Sequence, residues 1–179
     1  PMENPDNEAV FSRKVLEMIT VSNEFCLFME ENQKYGLTEV MHYLSRITPL
    51  LYLKGSLLPE VHVSDETANE RFVTEEQYET LFQEMKAKFG KKDRFRMAGQ
   101  ADELELVSCS LADLLSDLYQ DLKDFVLLYQ KNTMAARENA VHSCKRHFEE
   151  RWGMAAVRIM FALHQLLYSR KDPEAYQNN

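Results

Sequence analysis

From Phe11 to Met29 the side chains Phe11, Val15, Met18, Ser22, Phe25 and Met29 recur at intervals of four, three, four, three and four. That spacing lays a single stripe along an α-helix, and such a stripe has to be buried against a neighbour. The same rhythm returns in every long segment. It runs through Val40, Met41, Leu44, Ile47, Leu51, Gly55 and Leu58, and again through Leu111, Leu115, Leu118, Leu122, Phe125 and Tyr129. It closes with Val141, Cys144, Phe148, Trp152, Ala155, Ile159, Leu163 and Leu166. Gly and Pro number only 5 each in 179 residues, so few positions interrupt a helix, and strand-like alternation is almost absent.

The punctuation divides the chain into about five helices. The first is predicted over residues 7–31, stopped by Tyr35-Gly36. The second begins at Leu37 or Thr38 and reaches Leu58-Pro59, bent or split at Pro49, which lacks a backbone donor. Residues 60–73 read as a loop, after which Thr74-Glu75-Glu76-Gln77 fits a capping box. The short third helix it opens ends at Phe89-Gly90, and the polar residues 90–105 read as a second loop. Ser108 or Ser110 caps a fourth helix reaching Asn132, and the last runs from Thr133 to Tyr168 or Ser169, loosened at Gly153. The expected fold is all-α: an up-and-down helical bundle of four long helices and one short one. It forms one domain over residues 1–179, with 1–6 and 170–179 as tails.

Charge narrows the function classes. Lys plus Arg is 21 and Asp plus Glu is 29, a net charge of −8. That balance favours solubility and argues against nucleic acid, or an anionic membrane surface, as the partner of the whole chain. No apolar run approaches the roughly 18 residues needed to span a bilayer. The first residues, Pro1-Met2-Glu3-Asn4-Pro5, carry neither a basic nor an apolar segment, so no secretory leader is expected. Cys26, Cys109 and Cys144 are far apart and form no CxxC pair, which points away from a disulfide framework and toward a reducing, cytoplasmic compartment.

Three stretches, Pro49-Leu-Leu-Tyr-Leu-Lys-Gly-Ser-Leu-Leu-Pro59, Leu118-Tyr-Gln-Asp-Leu-Lys-Asp-Phe125 and Leu163-His-Gln-Leu-Leu-Tyr168, together with Phe148-Glu-Glu-Arg-Trp-Gly153, carry a resemblance. The chain resembles a bacterial family catalogued only as a helical domain of unknown function. The resemblance covers most of the chain and implies a bacterial, cytoplasmic helical domain. None of these motifs is a catalytic signature, so no functional residue follows from it.

Four groups of residues could carry chemistry. Asp113, Asp117, Asp121 and Asp124 fall within an arc of about 80° on the fourth helix. Clustered carboxylates of this kind hold Mg or Mn, with Glu76 and Glu79 of the third helix as candidate partners across the bundle. The plain reading of the ladder is a solvated face opposite the leucines, salted by Lys123. Glu39-x-x-His42 has a di-iron spacing, but only once and facing away from the inner stripe; Glu138, His142 and Glu149 share a flank of the last helix. Cys109 is placed near a helix N-terminus, where a thiol can be activated, yet no base is evident beside it. Lys91, Lys92, Arg94 and Arg96, following Lys86 and Lys88 and interleaved with Phe89 and Phe95, form a candidate anion-binding run.

A fifth group is apolar. Leu50, Leu53 and Leu57 lie on the side of the second helix opposite its inner stripe. Either the 60–73 loop and the third helix cover them, or another chain does, as a protein partner or a homodimer. No GxSxG and no Gly-rich phosphate loop occurs. The sequence therefore reads as a soluble, non-enzymatic binding or scaffold domain of the bacterial cytosol that needs no cofactor. The alternative is a divalent-metal-dependent phosphohydrolase using the acidic face of the fourth helix.

Overall fold

The computed structural model describes residues 5–99 and 105–169. Seven α-helices occur among them: α1 (Pro5–Val10), α2 (Arg13–Glu30), α3 (Leu37–Ser56), α4 (Glu75–Phe89), α5 (Leu111–Gln130), α6 (Met134–His147) and α7 (Gly153–Tyr168). A single π-turn, Phe148–Trp152, joins α6 to α7, so the two continue as one interrupted helix. The expected all-α bundle is what the chain forms. Helices α2, α3, α7 and α5 pack in a closed ring, while α4 and α6 lie against α5. None of the described helices is long and apolar enough to cross a membrane.

The stripes read from the sequence are the core. Val15, Met18, Phe25 and Met29 of α2, Leu44 and Leu51 of α3, Leu115, Leu118 and Leu122 of α5, and Ile159 and Leu163 of α7 are all fully buried. Capping sets the helix starts. The Thr74 hydroxyl accepts from the Gln77 N–H at 3.1 Å while the Gln77 amide oxygen accepts from the Thr74 N–H at 3.0 Å. Ser110 Oγ accepts from the Asp113 N–H at 3.2 Å. At α3 the cap is Gly36, whose N–H is taken by Glu39 Oε2 at 2.9 Å, so Glu39 serves the helix end rather than a metal.

Three expectations are corrected. The first helix is interrupted at Phe11-Ser12, and Phe11, placed in the inner stripe by its spacing, is 45% exposed with the Arg137 guanidinium over its ring. Pro49 neither splits nor ends α3, which runs through it. Residues 90–105 are not wholly a loop: β1 (Arg94–Ala98) and β2 (Leu106–Ser110) pair antiparallel, Arg94 opposite Ser110 and Ala98 opposite Leu106. The five-residue alternation Arg-Phe-Arg-Met-Ala, with Phe95 and Met97 half-buried between exposed neighbours, is too short and too polar to stand out. Asp93 ties this hairpin to α5. Its buried carboxylate accepts from the Ala112 N–H at 2.7 Å and the Ser110 hydroxyl at 2.8 Å, negative charge set against the positive end of the helix.

Close approach fixes α3 against the π-turn. A Cβ at Gly55 would sit 2.2 Å from the Trp152 ring. Trp152 is buried there, edge-on to Phe148, and its indole N–H donates to the Cys144 carbonyl at 3.0 Å. At Gly153 the N–H reaches the Phe148 carbonyl, one residue beyond the α-helical partner, and a Cβ would lie 2.5 Å from that same oxygen. Only glycine therefore fits at both positions. Gly55→Ala and Gly153→Ala should each cost about 1–3 kcal/mol through overpacking, read as a lowered thermal midpoint. An unchanged midpoint for Gly55→Ala would mean that Trp152 does not seat on α3.

Candidate binding surfaces

Helix α5 turns its aspartates toward one cleft, but their partners differ. The Asp121 side chain is only 9% exposed, and Arg151 grips it at 2.6 and 2.8 Å through two nitrogens. The His147 Nδ1 lies 3.8 Å from the same carboxylate. Asp124 accepts the backbone N–H groups of Phe72 and Val73 at 2.8 and 2.9 Å, which pins the end of the 60–73 connection. Asp117 accepts the Tyr78 hydroxyl at 2.7 Å. Asp113 is exposed and lies outside the cleft lining, and the exposed Glu76 and Glu79 of α4 do not join it. Among the described residues no three His, Cys, Asp or Glu side chains come together as an ion would require. Nor does Lys123 salt the ladder, since it pairs with Glu30 at 2.9 Å.

The cleft itself, about 550 Å³, was not legible as a site in the sequence. One wall is α5, the facing wall is α6, the π-turn and the start of α7, and residues 69–71 close one side. Arg71, Arg146, Arg151 and Arg158 line it with His147, over a floor that includes Leu114, Phe125 and Trp152. Single π-turns concentrate at functional sites because the extra residue re-aims the side chains that follow. The only sequence signal was the set His147, Arg151 and Arg158, four and then seven residues apart, on the helix facing the aspartate ladder.

Burial shapes the electrostatics. It pushes the Asp117 carboxyl above the usual carboxylate range against the opposing pull of Tyr78, with the Asp113 and Asp121 charges adding to the rise. It also raises Asp124, against the two backbone N–H groups. It holds His147 below the ordinary histidine value against the opposing pull of Asp121, with the charges of Arg151, Arg146 and Arg71 acting in the same sense as burial. His147 is therefore neutral near pH 7.

The other candidates separate. Glu138 is buried and accepts the Ser64 N–H at 3.1 Å and hydroxyl at 2.5 Å, anchoring the 60–73 connection, whereas Glu149 pairs with Lys145 at 3.2 Å. With His142 these do not form one site. Cys109 is a buried strand residue that directly precedes Ser110, the cap of α5, as its position near a helix start implied, and Cys26 and Cys144 are core thiols whose burial pushes them well above the ordinary cysteine value. Lys91, Lys92, Arg94 and Arg96 do come together, around a second hollow of about 660 Å³ with Phe95, Phe161 and Gln165. Leu50, Leu53 and Leu57 are 40, 52 and 41% exposed, so neither the 60–73 connection nor α4 covers them.

The raised Asp117 carboxyl gives a test with a definite sign. A carboxyl whose folded-state pKa lies above its unfolded value of 3.8 weakens the fold while it is ionised, and the penalty fades as pH falls through the folded value. Asp117→Asn keeps an acceptor for Tyr78 without the charge. Its thermal midpoint should exceed that of the wild type at pH 7, and the two should converge as pH approaches 4, the unfolded-state range for aspartate. A difference independent of pH would show that the charge is not the cause.

Comparison with known proteins agrees with the architecture. The chain is similar to protein BF1032 from Bacteroides fragilis, known from a crystal structure, with 32% identity and a TM-score of 0.83. The match covers 92% of this chain and 98% of that one. Among curated proteins none matches. Residues 9–169 match the family described as Domain of unknown function (DUF5063), and the chain belongs to that family.

Proposed function

We propose that the protein is a non-enzymatic binding or scaffold domain that meets a protein partner, or a second copy of itself, through the outer face of α3. One observation carries this reading. Leu50, Leu53 and Leu57 lie along one side of α3 and stand 40–52% exposed, although a long connection and a further helix follow directly in the chain. Burying such a side chain fully is worth about 1.5–3 kcal/mol relative to leaving it exposed, and the roughly half of that gain still open at these positions can come only from an external surface. A reducing bacterial cytosol suits the three free, buried cysteines and the similarity to a Bacteroides protein.

Leu53→Gln/Leu57→Gln removes the apolar face without touching the core. Its thermal midpoint should stay close to that of the wild type, since exposed substitutions alter stability by about 0.5 kcal/mol or less. Sedimentation velocity over a concentration series should show self-association of the wild type and a monomeric double variant. A monomeric wild type, combined with cross-linking in the parent cell that captures the same neighbours for both proteins, would sink the reading.

A divalent-metal phosphohydrolase is the second reading, favoured by Asp117, Asp121 and Asp124 lining one wall of one cleft. An ion there has to displace Tyr78, Arg151 and two backbone N–H groups from those carboxylates. Millimolar Mn²⁺ should then raise the wild-type midpoint, and Asp121→Asn should abolish the rise. A midpoint unmoved by Mn²⁺ removes this second reading.

A further inference from the structure

The arginines of the cleft differ from its acids in one respect. Each of Asp117, Asp121 and Asp124 is hydrogen-bonded by a protein donor, and Glu70, at the rim, is paired with Lys131. The guanidiniums are far less occupied. Among the described residues Arg71 and Arg158 make no ion pair or hydrogen bond, and Arg146 reaches only Glu150, at 4.0 Å. Arg151 offers two nitrogens to Asp121 and remains half exposed, so one edge of a fixed, planar cation is left toward the cleft. Arg71, Arg146 and Arg151 all line the same cleft, together with His147.

We propose that the cleft between residues 69–71, α5 and the α6–α7 π-turn binds a small phosphate monoester, its phosphate held by Arg71, Arg146 and the free edge of Arg151. Guanidinium forks match the oxygens of a phosphate in pairs, and a cation already oriented by a buried carboxylate loses little freedom on binding. The organic part of the ligand lies over Leu114 and Met154, which line the same cleft. A volume of about 550 Å³ suits a small molecule and not a polymer chain. The net charge of −8 works in the same direction, because the molecule repels a long polyanion at a distance while a monoester needs only local donors. This site is separate from the outer face of α3 and stands whether or not that face pairs with anything.

Isothermal titration of the full chain with phenyl phosphate, inorganic phosphate and succinate tests the assignment. Phenyl phosphate should bind saturably at one site per chain, at least tenfold more tightly than either of the others. Arg71→Gln and Arg146→Gln, both exposed and outside the core, should each weaken it tenfold or more while leaving the unliganded melt unchanged. Arg94→Gln/Arg96→Gln, on the hairpin, should leave it as in the wild type. No saturable binding overturns the proposal, as does succinate binding as tightly as phenyl phosphate. Loss of binding only in the hairpin variant overturns it too, by moving the site to the other hollow.

Discussion

Helix α5 has almost no face to give to water, and the rest of the molecule is arranged around that constraint. Leu111, Leu115, Leu118, Leu122, Phe125, Val126, Leu128 and Tyr129 are all buried along it, and α2, α4, α6 and α7 pack against its sides. A helix this completely enclosed cannot shift without disturbing four neighbours at once, since close-packed interiors have no slack to absorb the movement. The Asp93 strap fixes its start, and the Tyr129 hydroxyl, donating to the Val10 carbonyl at 3.0 Å, ties its end to α1. What polar surface α5 keeps is the narrow arc of aspartates. The three aspartates that face the cleft are therefore held on the most constrained element of the fold.

That placement changes what the charges do. Asp121 and Arg151 form a two-nitrogen pair with one member nearly buried and the other half in water. Such a pair adds little net stability, because removing the carboxylate from water opposes the attraction gained. Its effect is geometric: it fixes where the guanidinium points. Asp124 acts in the same manner on the backbone, holding residues 72–73 so that Asn69, Glu70 and Arg71 border the cleft. Glu138 and Asn139 hold the earlier part of the connection, through Ser64 and the Asp65 carbonyl. A long segment without regular structure is thus kept in one path by three acidic or amide side chains on α5 and α6, not by a core of its own.

The helices could be read from the sequence because burial imposes a period, and the period survives any detail of packing. The Leu115-Leu118-Leu122-Phe125 run and the capping box at Thr74 are local statements of this kind, and both appear as expected. What could not be read depends on contacts between distant segments. Phe11 has the right spacing for the first stripe, but the helix is interrupted at Phe11-Ser12 and its ring meets Arg137 instead. The aspartate ladder was visible as an arc; that Tyr78, Arg151 and the Phe72 and Val73 amides would occupy it was not, because those partners lie between 30 and 52 residues away. The π-turn was signalled only by Gly153, which sequence alone reads as a loosened helix. Its requirement for a missing Cβ becomes evident once the Phe148 carbonyl is seen 2.5 Å from where one would be.

The two surfaces are joined through α3, which packs on α7 and on the π-turn. Leu53 and Leu57 face outward from α3, while Gly55 between them faces inward, where the Trp152 ring leaves no room even for a methyl group. Trp152 is at the same time part of the cleft lining, one residue from Arg151. The close approach at Gly55 thus seats α3 on the Trp152 ring, and the π-turn is an element of the cleft wall whose hydrogen bonding departs from the α-helical pattern. Coupling between two sites requires an element that both of them bias, and its sign and size are the same read from either end. In this fold the segment Phe148–Gly153 touches the inner face of α3 through Trp152 and itself carries the Arg151 guanidinium that Asp121 aims.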